Sequence, residues 1–162
     1  MQPSVIERAE QPYVGIRRTV TMSTIPEVAD RMPAVFQWLA ERGIEPAGAP
    51  FFRYLVIDMA GELVMEAGFP VATPVEGEGE VFADVLPAGR YVTVTHIGHP
   101  GELMGVTKQL NEWVAAQGLR WDAEQTPGGD EFVCRLEIYK TDPRVQPDMS
   151  QWETELAFKL AD

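Results

Sequence analysis

The sequence predicts an α+β domain: a mainly antiparallel sheet with two helices on one face and a central cleft between two similar halves. Three observations carry this reading. Strand-like segments follow one another through short turns, as hairpins of an antiparallel sheet do. Two segments have helical periodicity and would cover one face. The chain also repeats itself at a spacing of roughly 75–80 residues. Tyr13-Val14-Gly15-Ile16 resembles Tyr91-Val92-Thr93-Val94. Trp38-Leu39-Ala40 with Gly43-Ile44 matches Trp113-Val114-Ala115 with Gly118-Leu119. Phe51–Ile57 resembles Phe132–Ile138. The expectation is one domain over residues 1–162, with pseudo-repeats at about 12–72 and 80–160.

In the first half, Val14–Val20 reads as a strand. Thr24 and Glu27 have capping-box spacing ahead of a helix, and Pro26 is tolerated in its first turn. Pro33 is not tolerated mid-helix, so the helix should kink or restart there. Val35, Phe36 and Leu39 then form an apolar stripe, and Gly43 is a stop. Phe51–Asp58 and Glu62–Phe69 form a hairpin with Ala60-Gly61 in the turn, and Thr73–Gly79 links the halves.

The second half opens with Val81–Leu86, then Arg90–His96 beyond Pro87 and Gly89. A helix over Gly101–Gln117 turns Leu103, Val106, Leu110, Trp113 and Val114 to one side. Thr126–Asp130 reads as a glycine-rich loop and Phe132–Tyr139 as a strand ended by Asp142-Pro143. Apolar and polar residues alternate from Trp152 to Leu160, the pattern of a half-buried last strand.

Composition excludes several classes. A net charge of -12 with a single basic pair, Arg17-Arg18, argues against direct nucleic-acid binding. No apolar run approaches a membrane span, and the polar start lacks a secretory pattern, so a cytoplasmic protein is expected. The lone cysteine, Cys134, permits no internal disulfide and reads as a packed mid-strand residue. His96 and His99, three apart without a fixed third ligand, fit a role at the helix start better than a metal site, and no cofactor motif stands out.

Glu137 is the informative position. Alternation along the strand puts Phe132, Cys134, Leu136 and Ile138 on one face, and Val133, Arg135, Glu137 and Tyr139 on the other. In the sequence repeat its slot in the first half is Val56, so the fold does not require a carboxylate there. A charge in a central strand costs free energy unless partnered. It is then either functional, or a surface glutamate, or a partner for Arg135.

Leu136–Pro143, Leu86–Tyr91, His96-Ile97-Gly98 and Gly43–Tyr54 resemble segments of the GyrI-like family, over essentially the whole chain. That family includes gyrase-inhibitory proteins and effector-binding domains of multidrug-responsive transcription regulators. The resemblance implies a duplicated strand–helix–strand–strand fold and a cleft for apolar, aromatic or cationic small molecules around Glu137. It implies ring walls drawn from Tyr139, Tyr13, Tyr54, Phe52, Tyr91, Trp113 and Trp152. No helix-turn-helix precedes the first strand, so a stand-alone form is expected. Some family members are similar to hydrolases that open strained cyclopropane rings; in that case Glu137 would be the general base and Tyr139 its support. A protein partner, as in gyrase inhibition, is a further alternative, and the sequence leaves monomer and dimer open.

Overall fold

The computed structural model describes residues 2–162. Its strands are β1 (Ser4–Arg8), β2 (Gln11–Val20), β3 (Phe51–Ile57), β4 (Leu63–Pro70), β5 (Phe82–Leu86), β6 (Gly89–Ile97), β7 (Ala123–Thr126), β8 (Gly129–Phe132), β9 (Arg135–Tyr139) and β10 (Glu153–Lys159). The helices are α1 (Pro26–Ala29), α2 (Met32–Glu41) and α3 (Leu103–Ala116). The strands form one sheet in the order β1-β6-β10-β9-β3-β4-β2-β5, with the β7–β8 hairpin attached to β3 through β8. All pairings along this path are antiparallel. The sheet is curled into a half-barrel.

The expected repeat appears as a pseudo-two-fold. β3-β4-β2 in the first half mirrors β9-β10-β6 in the second, and the axis passes between β3 and β9. The edge strands are exchanged: β1 leads into β2 but pairs with β6, whereas β5 leads into β6 but pairs with β2.

Both long helices cover one face. Val35 and Leu39 of α2 pack on Val14, Ile16 and Phe69, while Leu110 and Val114 of α3 pack on Val92, Val94, Leu156 and Phe158. The other face holds a separate cluster of Tyr13, Phe51, Tyr91, Leu136 and Ala157, closed by Ile6 of β1 and Phe82 and Leu86 of β5. Among the described residues no helix is long and apolar enough to cross a membrane.

Several local expectations change. β1 lies in the polar N-terminal stretch, which lacks a strand signal because Ile6 is its one apolar side chain that turns inward, beside Arg8. The helix does restart at Pro33, the second residue of α2. The Thr24–Glu27 capping box does not form. Ile25 is the N-cap of the four-residue α1, and the Thr24 hydroxyl accepts instead from the Thr21 amide at 2.7 Å. Phe36 is 44% exposed, edging onto Phe69. Thr126–Asp130 is the tip of the β7–β8 hairpin, and the single strand expected over Phe132–Tyr139 is broken at Val133-Cys134. His99 keeps its structural place: its Nδ1 accepts from the Gly101 amide at 2.9 Å where the chain turns into α3.

Candidate functional site

Neighbours in the ladder share a face, so one lateral row can be followed across the helix-covered side: Ile16, Ala67, Phe52, Glu137, Leu156, Val94. Glu137 is the only charged member. With Tyr13 and Tyr91 as counterparts, these registers match Ile16 with Val94, Ala67 with Leu156, Phe52 with Glu137 and Tyr54 with Tyr139. The counterpart of Glu137 is therefore Phe52, not Val56. The break at Val133-Cys134 shifts the structural equivalence away from the similarity of the two segments. Glu137 and Phe52 also face each other across the pseudo-two-fold axis.

α2 rests on β2 and β4, and α3 on β6, so the axis strands β3 and β9 run along the trough between the two long helices. There the Glu137 carboxylate is half-buried. Its Oε2 accepts from the Tyr54 hydroxyl at 2.9 Å and the Tyr139 hydroxyl at 2.7 Å, so two pseudo-symmetric tyrosines converge on one oxygen. Oε1 has no hydrogen-bond partner among the described residues and is not sealed from solvent. Burial first, and the Glu137 charge second, push both tyrosine hydroxyls well above the usual tyrosine range. They therefore stay protonated donors. Phe52 meets Tyr139 edge-to-face, with centroids 5.1 Å apart. Arg135 shares the face and lies among rings: its Cζ is 4.5 Å from the centroid of Phe158, 4.9 Å from Phe132 and 5.8 Å from Tyr54. The chain break brings Phe132 to this side, against the strict alternation expected from the sequence.

Phe52, Tyr54 and Tyr139 thus gather at Glu137. The other four rings implied by the resemblance do not. Tyr13 and Tyr91 lie in the cluster on the opposite face of the sheet, one position out of phase with the Glu137 row. Trp113 packs into the α3 cluster. Trp152 precedes β10 and donates from Nε1 to the Gln146 carbonyl at 2.7 Å.

The fully buried carboxylate is Glu66, which sequence reasoning missed. It lies on the face away from Glu137, with Arg17 and Arg53 as its cross-strand neighbours. Its Oε1 accepts from Tyr13 at 2.5 Å, and its Oε2 accepts from Arg17 Nε at 2.9 Å and Nη2 at 2.6 Å. Arg53 donates to the Tyr13 oxygen at 2.8 Å. A lone glutamate in the apolar run Leu63–Phe69 was the available signal. Cys134 lies in the same face's cluster, and burial raises its thiol.

Two cavities lie away from Glu137. One of about 230 Å³ opens on the opposite face between Arg8, Phe51, Leu136, Ile138, Lys140 and Glu155. One of about 440 Å³ lies at the β7–β8 hairpin, lined by Asp122, Glu124, Glu131, Phe132 and their neighbours. Glu137 lines neither, so the carboxylate stands in a trough packed with rings and Arg135 rather than beside either hollow. Among the described residues, no group of three His, Cys, Asp or Glu side chains converges as metal ligands would.

The pattern of the GyrI-like small molecule binding domain matches residues 1–161. No curated protein matches the chain. Among solved structures, the EcmrR C-terminal domain superposes with a TM-score of 0.76 at 22% identity, covering 99% of this chain and 98% of that one. In a complex of EcmrR with DNA the TM-score is 0.77 at 22% identity, and the match covers 99% of this chain but 57% of EcmrR. SAV2435, described as bound to tetraphenylphosphonium, gives 0.63 at 10% identity over 99% and 94% of the two chains. A hydrolase from Listeria innocua gives 0.62 at 13% over 99% and 92%. At these identities the likeness shows the fold.

Proposed function

The chain belongs to the GyrI-like small molecule binding domain family, and on that premise we propose that it binds apolar or cationic aromatic compounds in the trough between α2 and α3, with Glu137 as the charged contact. The observation that carries this is the lateral row in which Glu137 alone is charged, flanked by Phe52, Tyr54 and Tyr139. The two tyrosine hydroxyls hold one carboxylate oxygen in place, and the free Oε1 faces whatever enters. A rigid ring set around a fixed anion suits aromatic cations, since ring faces and the carboxylate both attract positive charge. Such a module would sequester or sense a toxic compound.

The test is calorimetric titration with tetraphenylphosphonium, the cation named with SAV2435. Glu137→Gln keeps the shape and removes the charge. Its affinity is expected to fall about tenfold, or ~1.4 kcal/mol. Equal affinity of the two proteins would overturn the role of the carboxylate.

A second reading rests on the same free oxygen: hydrolysis of a strained cyclopropane electrophile. Oε1 would take a proton from water as the water oxygen bonds the ring carbon. The electrons of the broken ring bond stay on the substrate, which takes up that proton. Mass spectrometry after incubation with a cyclopropane-containing alkylator should then show addition of one water, abolished in Glu137→Gln. Recovery of intact compound alone would remove this reading.

A further inference from the structure

Arg135 is a charge inside the trough to which the binding role gives no task. Its Nε is shut off from solvent and has no hydrogen-bond partner. Among the described residues no carboxylate comes within ion-pair distance of its guanidinium. Structural arginines normally satisfy these donors. Instead the guanidinium lies against Phe158, Phe132 and Tyr54, the stacking a cationic ligand would seek. Burial draws its pKa below the ordinary arginine value, opposed by Glu137, Tyr54 and Asp130.

Phe132, one of the rings the guanidinium contacts, also lines the cavity of about 440 Å³ at the β7–β8 hairpin. That cavity carries Asp122, Glu124 and Glu131. Asp122 is paired with Lys159 at 2.8 Å. Glu124 and Glu131 pair with each other and, through Val56, fall on the face away from Arg135, whereas Asp130, paired with Ile57, lies on the Arg135 side. Arg135 opens β9 immediately after the Val133-Cys134 break.

We propose that Arg135 is a resident cation that sets the specificity of the trough: in place it disfavours cationic ligands, and a cation enters only by displacing it from the rings of Phe158, Phe132 and Tyr54. This rests on the binding role proposed for the Glu137 trough. Arg135 and Glu137 together make the site neutral, so uncharged aromatics enter without displacing charge. A monocation must instead share the rings with a guanidinium in a medium of low polarity.

Calorimetric titration of the full chain with tetraphenylphosphonium and with the uncharged triphenylphosphine oxide separates the possibilities. Arg135→Met keeps an unbranched apolar stem and removes the guanidinium with its charge. It is expected to bind the phosphonium at least about tenfold more tightly than wild type, with the oxide changed by less than about threefold. Should Arg135→Met lose its near-ultraviolet circular dichroism, Arg135→Lys, charged but unable to stack as a plane, is expected to give an intermediate gain. Wild type binding the phosphonium with no gain on removing Arg135 overturns this proposal and leaves the binding role standing. No phosphonium binding by wild type, Arg135→Met and Arg135→Lys alike removes both.

Discussion

Two carboxylates stand in the middle of the sheet, one on each face, and their partners give them opposite characters. Glu66 is sealed, and both its oxygens are taken by Tyr13 and Arg17. Glu137 is half-buried and keeps one oxygen free. A saturated carboxylate can bind nothing more, so Glu66 is a structural strut. Glu66→Gln should then cost stability without touching the trough. The Arg17 side chain is 51% exposed and can rehydrate, but Arg53 is buried and would lose its counter-charge. Leaving such a cation uncompensated costs about 3 kcal/mol. Urea denaturation measures that loss, and phosphonium titration of the folded variant should match wild type. A loss below about 1 kcal/mol would contradict the strut. Glu137 was legible in the sequence because it interrupts an apolar strand next to Tyr139. The partners of Glu66 were not: Arg17 and Arg53 become its neighbours only through the registers of β2 and β3 on β4.

Among the elements, α2, α3 and the β3–β4 hairpin follow directly from periodicity, proline and turn residues. The misread elements are those whose signals are short-ranged or two-sided. β1 shows one inward apolar side chain and so reads as polar coil. The β8–β9 break looks continuous because Phe132–Tyr139 is rich in strand formers, and only the loss of ladder pairing at Val133-Cys134 reveals it. That break reassigns Phe132 to the Arg135 side. A tighter constraint sits where β2 meets β4: Gly15 and Gly68 are directly paired. A Cβ on Gly68 would lie 2.9 Å from the Val14 carbonyl oxygen and 3.1 Å from Cζ of Phe51. The missing side chain makes room for the Phe51 and Tyr13 rings on the closed face. Because one of these contacts is backbone, Gly68→Ala cannot be relieved by a rotamer change alone. It should lower stability by roughly 1–3 kcal/mol, read as a shift in urea midpoint. A midpoint within error of wild type would show that β4 can move away from β2.

For the whole molecule, the exchange of edge strands matters more than the repeat itself. Neither half can leave the other without stripping a strand, since β1 of the first half closes β6 and β5, leading into the second, closes β2. Duplicated halves with their own edge strands would unfold separately; this exchange couples them into one cooperative unit. The chain's four tyrosines report on it, with Tyr13 and Tyr54 in the first half and Tyr91 and Tyr139 in the second. Burial raises the pKa of every one above the ordinary tyrosine value of 10.0, aided by Glu66 at Tyr13, by Glu137 at Tyr54 and Tyr139, and by Cys134 at Tyr91. The folded state therefore holds these protons more tightly than the unfolded chain. Their contribution to stability is complete below about pH 10 and is lost as pH rises through the interval between the unfolded and folded values. Tyrosinate absorbance should stay flat through pH 10. It should then appear in a single step for both halves, together with the loss of far-ultraviolet circular dichroism. Two separated steps, or half of the tyrosinate signal near pH 10 with the dichroism intact, would show that the exchanged strands do not couple the halves.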